Sequence, residues 1–434
     1  MLLRKWYWGA CCALFLSACA GNSFVQNQDK DFTDDVDRLM IRLQNEPENL
    51  RAMRDLGAYF FHLKQYDKAK YYLMDAYKRE SKDPKILFYL GLLFEFEDQT
   101  ENAMRLYQRF DQVSRFSEYR KLMQGRYYFL QRQLAKENAA KLARSEQAAP
   151  RTDANALAVF PFEYKGSNPD FEPLARGLSE MMIIDLGIIP DLKLVERVRI
   201  VELSKELALA QSGATDPTTS PRPGQLLGAG QVVGGILDVP SEDRLSVSMS
   251  YWDIAGNGNP TVTSKEEQLA ELFRLQKEMV FEVVGKMGIQ LTPEMRNKIL
   301  TVPTKNIRAF LLYCQGLENE DNGQFRAAQD NFSTAIQLDG SFGMAREAGE
   351  RVENTVDAAG SKEDIAAAAE EMIVKESGGQ VGPQDNLLGN RFKTLNNSIG
   401  SNFRPGEDAR KPLENAFDSG SGLGTLPEPP PPPQ

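Results

Sequence analysis

A chain of 434 residues, 41 % apolar and 26 % charged, has the material for roughly two to four packed domains. Its net charge of −10, with no long basic cluster, argues against nucleic acid as a partner. One histidine and four cysteines leave little scope for histidine- or cysteine-based chemistry.

The N-terminus carries Arg4 and Lys5, then an apolar run over residues 6–18 that ends Leu16-Ser17-Ala18-Cys19. A bilayer-spanning helix needs about twenty apolar residues, so this run is short for a span. A positive start, a short apolar core and small residues describe an export signal. The four residues at its end resemble the lipobox of bacterial lipoproteins. That resemblance implies a signal peptide over 1–18 and acylation (palmitate) of Cys19, by which the chain is held to the membrane. Ala20 in the following position implies the periplasmic face of the outer membrane. Residues 19–31 read as a polar tether. Cys11 and Cys12 would leave with the signal, so Cys314 would remain as a free thiol and no internal disulfide can form.

An internal repeat follows with a period of 34 residues, Leu56-Gly57 recurring as Leu90-Gly91 and the glycine again as Gly125. Phe60, Phe94 and Tyr128 keep the period, Ala69 matches Ala103, and Leu73 matches Tyr107. Small residues let two helices approach and large ones fill between hairpins. The pattern resembles the tetratricopeptide repeat and places an all-α array over 32–147, with a capping helix from Thr33 to Gln44. The third copy decays, since Glu137 and Lys141 stand at its second-helix positions, and a long polar exit helix is expected there. Gly316, Gly323, Ala328, Phe332 and Ala335 mark a further helical hairpin over 303–355. It would need to pack on the array, on the middle domain or on another subunit.

Repeats of this type bind extended peptides in a concave face. The resemblance assigns Arg51, Arg54, Phe61 and His62 to that groove in copy one. It assigns Lys85, Phe88 and Phe96 in copy two, and Tyr119, Leu122, Arg126 and Phe129 in copy three. A basic, aromatic groove on an acidic chain suits a partner offering carboxylates and apolar side chains. The alternative is that the exit helix or the downstream hairpin fills the groove and makes its aromatics core.

Residues 155–292 read as a third kind of unit. "ALAVFPF" is a short buried strand. Helices are expected over 173–186, 197–210 and 266–287. Strands are expected at 192–195, in "QVVGGILDV", in "LSVSMSYWDI" and at the edge in "PTVTSKEE". The order suggests an α+β sandwich with helices on one face of a mixed sheet. "LKLVERVRIVELSKELALAQSG" and "LLGAGQVVGGIL" resemble the curli-secretion lipoprotein family (CsgG-like) and the amino-terminal domain of the TolB protein. The residues that carry the likeness are Glu196, Arg197, Ala229, Val233 and Gly235. Glu196 and Arg197 are expected to be structural, capping a helix or tying it to a neighbour. Channels of that family insert two hairpins per subunit. Here the connections "PSEDR" and "AGNGNP" are too short for that.

Residues 356–434 read as a mostly disordered Pro/Gly-rich tail, within which "SKEDIAAAAEEMIVKESGG" has the composition of one alanine-rich helix. Leu387, Leu388, Phe392, Leu395, Ile399 and Phe403 form an apolar patch inside it. No metal-binding, nucleotide-binding or catalytic motif is present, and no cofactor is expected. The sequence therefore suggests a non-enzymatic, membrane-anchored scaffold that binds protein partners and assembles with further copies of itself or with an envelope machine. Its alternatives are an activator of a peptidoglycan synthase and a component of a curli-type secretion channel.

Overall fold

The computed structural model describes residues 32–144, 151–209, 222–241 and 243–376. Cys19, the tether, most of the loop after residue 209 and the apolar patch at 387–403 lie outside them. The chain is mixed α and β, with a helical array first and a mixed sheet after it. It divides into two compact units. Within the described residues the first takes 32–123 and 361–376, and the second takes 124–360.

The first unit opens with helix α1 over residues 32–45, beginning one residue ahead of Thr33, so Thr33 is inside the first turn. Helices α2 (Leu50–His62) and α3 (Tyr66–Arg79) form one hairpin, and α4 (Pro84–Phe96) and α5 (Thr100–Tyr107) the next. Asp83 caps α4 by accepting from the backbone N–H groups of Lys85 and Ile86 at 2.9 and 3.0 Å, and Pro84 fills the first turn. The repeat glycines act as the spacing suggests. A Cβ on Gly57 would sit 2.4 Å from Leu73, and one on Gly91 would sit 2.5 Å from Tyr107. In the second unit, α12 (Ile307–Asp321) and α13 (Phe325–Leu338) repeat this contact, with Gly316 against Phe332 at 2.4 Å.

Each hairpin also turns in the same way. Lys64, Asp98 and Gly323 take positive φ angles of 59°, 57° and 73°. The next residue's N–H then reaches back five positions, from Gln65 to Phe60, Gln99 to Phe94 and Gln324 to Asn319, at 2.8 to 2.9 Å. Glycine meets the left-handed requirement without strain in the last hairpin, and Lys64 and Asp98 meet it at some cost.

The third repeat does not form a hairpin. Helix α6 (Glu118–Arg144) runs through the place where a turn would be. The boundary between the units falls inside it, after Met123, rather than at residue 147. Gly125 keeps its period for another reason. A Cβ there would lie 1.8 Å from the Asn354 carbonyl oxygen of α14 (Gly343–Asp357), and Asn354 donates to Gln124 at 2.8 Å. Thus α14 takes the place of the missing second helix.

In the second unit the sheet order is β3-β1-β4-β5-β6, with β1 (Asp153–Val159), β2 (Glu163–Tyr164), β3 (Lys193–Leu194), β4 (Ala229–Ser241), β5 (Arg244–Asp253) and β6 (Thr261–Gln268). β2 pairs with β4 beside this path. β1 is parallel to β3 and β4, while β5 and β6 run antiparallel. Helices cover both faces, not one as the element order suggested. Leu157, Val159, Val233, Val247 and Met249 pack on α7 (Glu172–Leu186) and α10 (Leu272–Lys286). Ala158, Phe160 and Val232, of opposite parity, pack on α8 (Arg197–Leu209) and on Leu226 of α9 (Arg222–Leu226). The strand "TVTSKEEQ" continues to Gln268, so α10 begins at Leu272 rather than at residue 266. The link between β5 and β6 is a short turn. α11 (Pro293–Ile299) leads to the α12–α13 hairpin, which packs on the sheet domain through α7, where Gly177 meets Cys314. No helix among the described residues is long and apolar enough to cross a membrane.

The final described helix, α15 (Lys362–Glu376), falls within the stretch whose composition suggested one alanine-rich helix, and the expected tail beyond it lies outside the described residues. Ser361 and Asp364 cap the helix reciprocally, each accepting from the other's N–H at 3.2 and 3.0 Å. Ile365, Ala368, Ala369 and Ile373 form its buried stripe, at helical spacing.

Two glycine substitutions in the second unit separate packing from backbone entropy. Gly316→Ala forces a methyl against the Phe332 ring and should cost about 1–3 kcal/mol. Gly285→Ala, on α10 with nothing within 4 Å of the new Cβ, should stabilise by roughly 0.5–1 kcal/mol. Urea midpoints of the two variants moving the same way would refute this reading of the hairpin contact.

Candidate functional site

In the first unit α15 lies against several of the residues assigned to the groove. This is neither of the two fillers the sequence suggested. Apolar surface explains it. Every residue of α4 from Lys85 to Glu95 is buried, so this helix has no face made for water.

Contacts between helix and groove run along the whole length of α15. At its start, Lys362 Nζ donates to the Glu95 carbonyl at 3.1 Å and to Asp98 at 2.8 Å, and it lies 5.4 Å over the Phe96 ring. Midway, the Tyr89 hydroxyl donates to the Ala369 carbonyl at 3.3 Å. His62 Nε2 is 2.8 Å from that same hydroxyl. With the Tyr89 proton directed at Ala369, Nε2 carries the ring proton. The other ring nitrogen is 3.9 Å from Glu370. At the end, Lys85 Nζ donates to Glu376 at 2.7 Å and to Asp55 at 3.0 Å. Phe61 packs edge-on against Tyr89 and Phe96, with ring centroids 5.6 and 5.4 Å away.

Electrostatics follow from this enclosure. Burial, then the Lys85 cation, pushes His62 down to about 3. His62 is therefore neutral in the fold, and its share of stability is lost as pH falls below 6.5. Burial, then the Glu376 carboxylate, pushes the Tyr119 hydroxyl up and keeps it protonated.

The structure thus brings Phe61, His62, Lys85, Phe96 and Tyr119 to α15. The other expected groove residues have different work. Arg54 bonds Asp55 at 2.9 Å and Asp83 at 3.1 Å, tying the two hairpins. Arg51 is exposed, and Leu122 is buried. Phe88 is core, packed on Tyr89, Tyr107 and Tyr119, so replacing it reports on folding rather than on recognition. Arg126 and Phe129 belong to the second unit, where Arg126 donates to the Gly360 and Ala358 carbonyls at 2.8 and 3.3 Å and stacks over Phe129 at 4.7 Å. Sequence reasoning missed Tyr89, Asp55, Glu95 and Asp98. Tyr89 follows Phe88 in an unbroken apolar run, and that run was the signal.

A second cluster sits in the other unit. Arg197, 2 % exposed, donates to Glu180 of α7 at 3.0 Å and to Asp321 of α12 at 2.6 Å. Arg176 reaches the same two carboxylates at 3.2 and 2.9 Å. Arg197 therefore ties its helix to neighbours, as the motif suggested. Glu196 backs it differently. Its carbonyl accepts from Arg199 and Ile200 at 3.0 and 3.2 Å, closing the first turn of α8. Its side chain is buried beside Gln131, and burial pushes the carboxyl up to about 7 against the pull of Arg199 and Gln131. Ala229 starts β4, Val233 is buried in the core, and a Cβ on Gly235 would strike Phe162 at 2.5 Å.

No protein-family model matches the chain. It is 34 % identical over 79 residues to E3 SUMO-protein ligase RanBP2 of Homo sapiens and of Pan troglodytes, which is 17 % of this chain and 2 % of theirs. RANBP2-like and GRIP domain-containing protein 8 of Homo sapiens matches equally over 79 residues, 4 % of its length. The chain thus spans a few hundredths of the curated relatives it matches.

Glu196 makes the second unit sensitive to pH. Its folded pKa of about 7 lies above the ordinary 4.5. The proton-stabilised fold is complete below pH 4.5, weakens as pH rises to about 7, and is level beyond. Glu196→Gln should remove that fall and gain about 1–3 kcal/mol at pH 8, with little change at pH 4.5. Urea unfolding at both pH values checks it, and an equal effect at the two would be inconsistent with a buried protonated carboxyl.

Proposed function

We propose that this chain is a non-enzymatic scaffold of the bacterial cell envelope, anchored to the outer membrane through acylated Cys19 and exposed to the periplasm. Its first unit would be a tetratricopeptide-type array that holds a helix of a protein partner. Its mixed-sheet domain would be CsgG-like and would assemble with further copies or with an envelope machine. The observation that carries this reading is the groove itself. Aromatic rings, Lys85 and the His62–Tyr89 pair already grip a helix by its backbone, its small face and its terminal acid. Helix-binding grooves of this kind serve recognition rather than turnover.

Anchoring and recognition are tested together in the intact cell. A fatty-acid analogue should label the wild-type chain and not Cys19→Ala. Equal labelling of both would remove the anchor. A photo-crosslinking residue in place of Arg51, exposed on the first unit, should give envelope adducts that Lys85→Glu abolishes while the circular dichroism spectrum is kept. Adducts unchanged by Lys85→Glu would refute recognition through the groove.

A further inference from the structure

The geometry points to the groove as a receptor for one kind of helix, of which residues 362–376 are the resident copy. The ligand it fits is a partner-protein helix of the pattern Ile-x-x-Ala-Ala-x-x-x-Ile-x-x-Glu, which enters by displacing that copy. This rests on the scaffold reading above and names the partner's chemistry.

The pattern follows from the contacts. Tyr89 reaches a backbone carbonyl in the middle of a helix, and such an approach requires small side chains at the contact. Ala368 and Ala369 supply them, and Ile365 and Ile373 close the apolar stripe on either side. Glu376 meets Lys85 two turns beyond the alanines. A helix with large residues at the alanine positions, or a base at the terminal acid, does not fit.

Displacement follows from how lightly the resident is held. Its buried stripe contains two isoleucines and two alanines, so few carbon atoms leave water. Its first ion pair opens to solvent, with Asp98 90 % exposed, and a pair of that kind holds weakly and is screened by salt, whereas Glu376, 46 % exposed, meets the buried Lys85. Gly360, just ahead of it, takes φ 130°, a glycine conformation, and Arg126 pins its carbonyl. Tethering gives the resident a high local concentration, so an identical helix from a second copy competes poorly. A partner helix must therefore extend past these fifteen residues and gain further contacts.

The test uses the unacylated chain of residues 20–434 and a fluorescent peptide of residues 361–378. Ala368→Asp with Ala369→Asp should eject the resident helix and raise peptide affinity at least about tenfold over wild type. Reversing the peptide's terminal acid, Glu376→Lys, should lower affinity for that variant by about the same factor. Hydrogen exchange of the wild-type chain needs no variant to fold, and residues 362–376 should exchange faster than residues 84–96. Equal peptide affinity for both proteins, indifference to the charge reversal, or equal exchange of the two helices would each overturn the proposal. So would dimers that exchange this helix between copies. Peptide exchange without any envelope adduct would instead sink the scaffold reading and leave the receptor standing.

Discussion

The first unit depends on one constraint, that α4 has no side that tolerates water. Pro84 to Phe96 reads "PKILFYLGLLFEF", and burying it takes cover from every direction. α2 and α3 cover one side, and α5 approaches closely because Gly91 admits Tyr107. The side a repeat array normally leaves concave is closed by α15. The two charges inside the buried run are answered locally. Lys85 has Asp55 and Glu376, and Glu95 accepts from Tyr107 at 2.7 Å. The second repeat therefore depends on a segment 267 residues further along the chain.

In the other unit, a cluster of buried charges fixes the helices beside the apolar core. Arg176 and Arg197 share Glu180 and Asp321, so α7, α8 and α12 are fixed by one cluster of four ions. Arg132 of α6 adds a pair with Glu202 and a bond to the Asp321 carbonyl at 3.3 Å. Such clusters add little net stability, yet removing one member leaves a charge stranded. Beside them, Gly177 and Cys314 let α7 and α12 touch. Burial pushes the Cys314 thiol up, so it is an inert packing atom and not a nucleophile.

Much of this was legible because repeats and strands leave periodic marks. The glycine at position 57 and its copies fix each hairpin through one contact, and the strand order of the sheet domain follows from apolar runs between helices. Three features were not legible in the same way. Gly125 kept its period because α14 presses on it, and a 34-residue spacing cannot say which helix presses. α10 was placed too early because "SKEEQ" favours a helix by composition while pairing with β5 holds it as strand. The groove was assigned by position within each repeat, which separates neither Phe88 from Tyr89 nor an open face from a covered one. The unbroken apolar run around those two residues carried that information, since an open groove would interrupt it with polar positions.

These relations change what counts as the array. By sequence it ends at residue 147, but its physical completion comes from two later helices. In the first unit α15 covers α4, and in the second α14 packs against α6 where a repeat partner is missing. Cutting the chain after residue 355 would remove the Gly360 anchor for Arg126 and the whole of α15. The isolated repeats would then expose Tyr89, Phe61 and Phe96 together, an apolar surface that binds indiscriminately or self-associates. Binding measured on such a fragment would reflect that exposed surface. Binding to an uncovered groove counts as selection only where a charge-reversed helix binds more weakly.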